Sequence, residues 1–377
     1  MFYNNFKDEK ISAFGMGCMR LPKTDASDDG SVNVVESEEM VAYAYENGCN
    51  YFDTAWGYHN GKSETIIGQA LSKYPRESFY LADKFPGYDP GNWGKVQEIF
   101  AEQLKKCQVD YFDFYLFHNV CEMNIDAYLD DAKYGIYTHL TKMREEGAIK
   151  HLGFSVHGSY DVMKRFLDAY GAHMEFCQIQ LNYIDWKFQD AENKVKLLDE
   201  YRIPVWVMEP LRGGKLAALS EEHEAELKTL RPDEGIPAWA FRFLQTIPSV
   251  TMILSGMSNF EQMKDNIRTF ETDRPLNEAE MDTLLRIADK MANGVPCTAC
   301  HYCTDHCPQG IDIPTIIKMY NEHVFTGGGF LAPMLIASLP EEKRPAACLA
   351  CQSCEAVCPQ GIKISEIMAD FAKKLQA

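Results

Sequence analysis

From about residue 14 to residue 270, short runs of β-branched and aromatic residues alternate with longer stretches whose apolar positions recur at helical spacing. The runs predict strands at 14–21, 50–56, 79–85, 112–118, 149–156, 176–182, 204–209 and 250–256. Between them, stretches such as 38–47, 64–73, 96–107, 162–170 and 260–270 read as amphipathic helices. Strands alternating with helices imply a parallel sheet, because a parallel pair needs a crossover that a helix can supply. Eight such units in about 260 residues predict an α/β fold of the (β/α)8 TIM-barrel kind. The alternative is an open doubly wound sheet. It fits less well, since no GxGxxG follows the first strand.

A further helical stretch, 277–291, leads out of this pattern, and the composition changes at Val295 and Pro296. What remains is short, cysteine-rich and interrupted by Gly327, Gly328 and Gly329. Two domains are therefore expected, 1–291 and 292–377. Among 377 residues, 46% are hydrophobic and 24% charged, which allows a sizeable core. The net charge of −18 argues against nucleic acid or anionic membranes as partners. The first residues hold no apolar segment of a secretory signal. The longest mostly apolar run, 330–339, is far short of the roughly 20 residues that span a bilayer. The expectation is a cytoplasmic protein, in which clustered cysteines point to metal or redox chemistry rather than disulfides.

Thirteen cysteines are present, and eight form an internal repeat. Cys297, Cys300, Cys303 and Cys307 precede Pro308, and Cys348, Cys351, Cys354 and Cys358 precede Pro359. One offset of 51 positions relates all four pairs, and both copies continue as CPQGI. Three cysteines at three-residue intervals can each bind one iron of a compact cluster, while the fourth, sent away by its proline, binds elsewhere. In two-cluster proteins the fourth cysteine serves the other cluster. One [4Fe–4S] cluster is thus expected on Cys297, Cys300, Cys303 and Cys358, and another on Cys348, Cys351, Cys354 and Cys307. A zinc site, which usually draws on separated CxxC pairs, fits this spacing less well. The residues between the motifs read as helical at 314–324. The segment resembles the α-helical ferredoxin domain of succinate dehydrogenase and fumarate reductase iron–sulfur subunits. That resemblance implies a small, mainly α-helical iron–sulfur domain that relays single electrons. A purely structural role for the clusters is the alternative.

In a barrel of this type the chemistry sits where the strands end. The second predicted strand carries Asp53, with Tyr58 just beyond it in FDTAWGYHNGKSE. The third ends in Lys84 (FYLADKF) and the fourth in His118 (FYLFHN). Each alone would pass for a loop cap or a surface residue. Together and in this order they resemble the catalytic tetrad of the aldo-keto reductase family. Further similarities lie in GKSE at 61–64, GFS at 153–155, FCQIQLNY around Gln178, MEPLRGGKL at 208–216 and SGMSNFEQMKDN at 255–266. The resemblance implies a nicotinamide cofactor, NADP(H) or NAD(H), with Ser155 and Gln178 at the carboxamide. It further implies that Met208, Pro210 and Leu211 follow strand seven beside the nucleotide. Ser255, Gly256, Ser258, Gln262, Asp265 and Asn266 would lie around its adenosine phosphate. Val156, Met208, Gly256 and Gln262 depart from the residues many relatives carry, which leaves the choice between the two nucleotides open.

The chemistry this implies is hydride attack on the carbonyl of a small aldehyde or ketone. Tyr58 would act as general acid, with Lys84 lowering a phenol pKa that is ordinarily near 10. Asp53 would hold Lys84 charged, and His118 would polarise the carbonyl oxygen. The clusters suggest exchange of electrons with a ferredoxin-like or other redox protein. A hydride carries two electrons and a cluster one, and no flavin motif is visible to convert between them. A nucleotide-binding redox sensor or adaptor with little turnover is the competing reading. The isolated Cys18, Cys49, Cys107, Cys121 and Cys177 are expected to be packed, inert thiols. His301 and His306 are expected at the surface, and 220–226 (SEEHEAE) as the solvated start of a helix.

Overall fold

The computed structural model describes residues 1–292, 294–297 and 299–376. The chain divides into two units, Met1–Ile287 and Ala288–Ala377. The helix Glu278–Met291 crosses that division.

The first unit opens with an antiparallel hairpin of β1 (Tyr3–Phe6) and β2 (Glu9–Ser12). Eight parallel strands follow: β3 (Phe14–Gly17), β4 (Tyr51–Asp53), β5 (Tyr80–Phe85), β6 (Phe112–Val120), β7 (Ile149–Val156), β8 (Cys177–Gln180), β9 (Val205–Met208) and β10 (Val250–Gly256). They pair in chain order, and β10 returns to β3 to close a barrel. The expected (β/α)8 barrel is the fold found. β7 and β10 have the bounds the pattern predicts. The first predicted strand, 14–21, ends early because Cys18–Arg20 turns into a 3-10 helix. β6 runs two residues further than expected because a register shift lets Val120 pair with Val156.

Helices cover the outside of the barrel. Tyr160–Tyr170 shows why such segments are helical. Ser159 accepts the N–H of Val162 as an N-cap, and Val162, Met163, Phe166, Leu167 and Tyr170 form the buried stripe. Ser220 caps Glu221–Leu230 in the same way, so the acidic run does begin a helix.

The hairpin was not legible in the sequence, and it decides which end of the barrel is open. Phe6 and Ile11 are buried with Tyr51, Phe114, Phe176, Trp206 and Met252. The Phe6 ring stands edge-on to Trp206 at 5.0 Å. The end where the strands begin is thereby plugged, which leaves chemistry to the end where they stop.

The second unit contains the helices Ile313–Thr326, Leu331–Ser338 and Ile364–Lys374. They pack on Ile311, Ile316, Ile317 and Phe371. Asp312 caps the first of these, Pro314 sits in its first turn, and left-handed Gly327 ends it. Among the described residues no helix is long and apolar enough to cross a membrane.

At the plugged end, His151 bonds Glu175 at 2.5 Å and Glu9 at 3.2 Å. Burial opposes its charge, but the two carboxylates outweigh burial and raise its pKa to about 8. A raised histidine pKa stabilises the fold fully below the unfolded value near 6.5, and that contribution is lost as pH rises through about 8. The shift corresponds to about 2 kcal/mol. Urea midpoints taken at about pH 6 and about pH 9 should therefore fall more for the wild type than for His151→Gln.

Candidate functional site

At the open end, β4 ends in Asp53 and β5 carries Lys84 one residue before its end. Both are buried, at 2% and 1% exposure. The Lys84 ammonium donates to Asp53 Oδ1 at 2.6 Å and to the Thr54 carbonyl at 2.7 Å. Its third contact is the Tyr58 hydroxyl at 3.4 Å. The Tyr58 and His118 rings meet edge-on at 6.1 Å, so all four expected residues come together.

Burial works against the Lys84 cation, yet Asp53 and Tyr58 raise its pKa above the usual lysine value. Burial also raises Asp53, against the pull of Lys84. An ammonium in direct contact at 2.6 Å keeps the pair ionised. For Tyr58 the expected pull of Lys84 is present, but the net pKa is raised rather than lowered. Burial pushes the phenol up to about 12, and Lys84 only pulls part of that back. His118 is driven well below its usual value by burial, then by Lys84 and His157, so its imidazole is neutral. Its Nδ1 is buried and has no hydrogen-bond partner among the described residues.

Two neighbours of His118 were not singled out from the sequence. The Tyr88 ring stands edge-on to His118 at 5.3 Å. The Tyr128 hydroxyl donates to the His118 carbonyl at 2.8 Å. Tyr88 lies in the loop after β5 and Tyr128 in the short helix Ile125–Leu129 after β6, and only an aromatic residue soon after a strand end could have marked them.

The residues expected around the nucleotide lie on β7 to β10 and just beyond. Ser155 and Gln178 are opposite each other in register. Ser155 Oγ accepts the N–H of Asn119 at 2.8 Å. Gln178 Oε1 is buried with no partner among the described residues, which leaves an acceptor suited to an amide N–H such as a carboxamide carries. Met208 is half-buried, Pro210 buried and Leu211 half-buried. Ser255 Oγ accepts from Asn266 at 3.1 Å. Exposed Ser258 donates its N–H to Gln262 Oε1 at 2.8 Å, and Asp265 binds Arg268 at 2.7 Å. Gln262 and Asp265 are therefore occupied locally, whereas Gly256 lies open.

A buried network that the sequence did not disclose fixes the loop after β9. Arg212 Nε donates to both carboxylate oxygens of Asp185 at 3.0 Å. Asn182 Nδ2 reaches Asp185 at 2.6 Å and the Glu209 carbonyl at 3.1 Å. Arg212, Gly213 and Gly214 all have positive φ. The chain turns sharply there, and the ion pair holds the turn against the barrel rim.

In the second unit the eight repeated cysteines line two hollows. The first, of about 360 Å³, is lined by Cys307, Cys348, Cys351 and Cys354. The second, of about 310 Å³, is lined by Cys297, Cys300, Cys303 and Cys358. Each hollow thus brings three cysteines of one copy together with the fourth of the other. Ala299 and His301 have φ of 52° and 61°, and their counterparts Ala350 and Gln352 have 51° and 61°. Alternating left-handed backbone of this kind turns N–H groups inward, as in the nests that hold anionic iron–sulfur clusters. The donors, the hollows and the backbone fit such clusters. His301 and His306 are exposed. Cys18, Cys49, Cys107, Cys121 and Cys177 are all buried, as inert packed thiols would be.

Residues 13–289 match the Aldo/keto reductase family, and residues 296–362 match the 4Fe-4S dicluster domain. The uncharacterized oxidoreductase YqkF of Bacillus subtilis (strain 168) is 24% identical over 308 residues, covering 74% of this chain and 92% of its own. The NADH-specific methylglyoxal reductase of Escherichia coli (strain K12) is 23% identical over 331 residues, covering 75% and 97%. The fold also matches the holo form of aldo-keto reductase AKR11C1 from Bacillus halodurans. The TM-score is 0.61 at 24% identity, over 76% of this chain and 96% of that one. The chain belongs to the Aldo/keto reductase family and carries a 4Fe-4S dicluster domain behind the barrel. It is an NAD(P)H-dependent oxidoreductase.

Arg212→Leu would leave Asp185 as a buried, unpaired charge, which typically costs about 3–5 kcal/mol. Replacing both residues by leucine should cost less than the single change, as measured by urea unfolding.

Proposed function

We propose that this protein reduces the carbonyl group of a small aldehyde or ketone at the open end of its barrel. We propose further that two [4Fe–4S] clusters in its second unit exchange single electrons with a redox partner, a ferredoxin-like protein by its chemistry. The observation that carries the catalytic reading is the Lys84 ammonium, bonded to Asp53 at 2.6 Å and reaching the Tyr58 hydroxyl at 3.4 Å beside His118.

NADPH or NADH, when bound, supplies a hydride to the carbonyl carbon. Ser155 and Gln178 would hold its carboxamide, supported by the unpartnered Gln178 acceptor. The loop of Met208, Pro210 and Leu211 would lie along it, and Ser255, Gly256, Ser258, Gln262, Asp265 and Asn266 around its adenosine end. Tyr58 donates a proton to the alkoxide that develops on the carbonyl oxygen. A phenol with a pKa of about 12 stays protonated at neutral pH, so the acid is always loaded. Lys84 then stabilises the phenolate that this donation leaves. Neutral His118 donates a hydrogen bond to the same oxygen and polarises it without competing for the proton. Tyr88, beside His118, would form part of the substrate wall.

Anaerobic oxidation of NADPH and NADH should be followed with a panel of aldehydes and ketones. Tyr58→Phe should lower turnover by about 10²–10⁴ and leave nucleotide affinity unchanged. If no carbonyl supports turnover that depends on Tyr58, the reductase reading fails and a nucleotide-binding redox sensor takes its place.

Cys297, Cys300, Cys303 and Cys358 would hold one cluster, and Cys307, Cys348, Cys351 and Cys354 the other. The two hollows and their left-handed backbone support this assignment. Anaerobically reconstituted protein should contain about eight iron atoms per chain, and Cys351→Ala about four, as read by iron and sulfide analysis.

A further inference from the structure

Lys84 is held by its backbone as well as by its ammonium. Asp83 Oδ1 accepts the Lys84 N–H at 2.8 Å, and Gln103 Nε2 donates to the Lys84 carbonyl at 3.0 Å. The Tyr115 hydroxyl donates to Gln103 Oε1 at 2.5 Å, which fixes the direction of that amide. Neighbouring residues of a strand point to opposite faces. The Asp83 side chain therefore leaves β5 on the side away from Asp53 and Tyr58, toward the helices Ser63–Leu71 and Val96–Cys107.

There it meets a second acid. Glu64, in the first turn of Ser63–Leu71, is fully buried, and so is Asp83. Lys106 donates to Glu64 Oε2 at 2.8 Å and is held over the Trp56 ring at 3.9 Å, so it balances one of the two acids. Glu64 Oε1 is buried with no hydrogen-bond partner among the described residues. The ammonium of Lys84 lies on the other face, bonded to Asp53. The other groups around Asp83 are neutral at ordinary pH. They are the Cys107 thiol, 3.9 Å from Oδ2, and the phenols of Tyr115 and Tyr88, all with pKa values raised by burial. Burial also lifts Asp83 well above the usual carboxylate range, and the adjoining Glu64 lifts it further. Two ionised carboxylates in contact repel each other, and neither has a proton to offer. A single proton between them removes one charge and supplies the missing donor.

We propose that Asp83 and Glu64 hold one proton between them at neutral pH, and that Asp83, neutral in this pair, is a positioning residue for Lys84. The positioning role rests on the reductase reading above, and the shared proton does not. Neutral Asp83 still accepts the Lys84 N–H, and its own proton reaches Glu64, which Lys106 holds from the other side. β5 and both helices are thereby tied together at the residue whose ammonium serves Tyr58. Since Asp83 is uncharged, Asp53 alone balances Lys84, and the cation remains available to a phenolate at Tyr58. In the unfolded chain Asp83 ionises with a pKa of about 3.9. The folded chain therefore carries one more proton than the unfolded chain at neutral pH, and stability falls as pH rises above that value. Asparagine at this position mimics the neutral acid. Its carbonyl can accept the Lys84 N–H and its amide can donate to Glu64, with no proton to lose.

The test begins with urea unfolding of the full chain, wild type and Asp83→Asn, at about pH 4.5 and about pH 7.5. The midpoint of Asp83→Asn, taken relative to the wild type, should shift upward from the lower pH to the higher. A difference that stays constant or shifts downward makes Asp83 an ordinary carboxylate and overturns the shared proton. Carbonyl reduction then reads the positioning role. Asp83→Asn should keep kcat near the wild-type value. Asp83→Leu removes both the acceptor for the Lys84 N–H and the donor to Glu64. It should lower kcat by about tenfold to 10²-fold, the scale of a small misplacement of a reacting group, and leave the KM for nucleotide near the wild-type value. A large loss of kcat in Asp83→Asn, or full kcat in Asp83→Leu, overturns the positioning role, and the first of these is decisive even where the leucine variant does not fold. A wild type that turns over no carbonyl overturns the reductase reading and the positioning role with it, while the unfolding comparison still decides the shared proton.

Discussion

A lysine ammonium buried at the rim of the barrel is the constraint around which the first unit is organised. An uncompensated charge at 1% exposure would cost several kcal/mol. Lys84 is compensated only because β4 and β5 lie side by side, with Asp53 paired to Ala82 in the register. A slip of one residue would turn Asp53 to the opposite face and strand the cation. Barrel closure, strand register and the position of the Tyr58 hydroxyl are thus one requirement. The hairpin serves it from the other end. By filling the interior with Phe6 it excludes water from the floor on which the ion pair stands.

The environment that makes this pair also sets the acid–base character of the site. Burial raises Tyr58 and depresses His118, so at neutral pH both are uncharged donors beside one cation. The familiar expectation, that a lysine neighbour makes a tyrosine more acidic, considers one influence only. Here desolvation outweighs it. Under the proposed mechanism the reacting group is a fully protonated phenol with a cation ready for its conjugate base, rather than a phenol titrating near neutrality.

Much of this was legible in the chain because the signals are local. A short strand-forming run bounded by helical stretches is marked by its own residues, which is why 149–156 and 250–256 were delimited as they fold. The cysteine repeat is likewise a matter of counting. Contacts between distant segments were not legible. β1 and β2 are four residues each and mostly polar, and only Phe6 and Ile11 meeting the barrel floor makes them strands. The bond between Arg212 and Asp185 spans 27 positions, and neither residue announces its partner. The bond from Lys343 to the Gln309 carbonyl is of the same kind, since it spans 34 positions.

The left-handed alanines of the second unit carry a consequence for how the protein is made. Ala299 and Ala350 hold a backbone conformation that a residue with a Cβ adopts only at a cost of about 1–3 kcal/mol each, and His301 and Gln352 add to it. Glycine at these places would relieve the strain but would also let the loops wander in the apoprotein. With alanine, the loops have a strong incentive to relax unless iron and sulfide compensate them. Folding of the second unit and acquisition of its inorganic content then become a single event, as in other small metal-dependent domains. The barrel has its own core and needs no such help. A cell short of iron would accordingly accumulate a chain with a finished barrel and an unfinished dicluster unit.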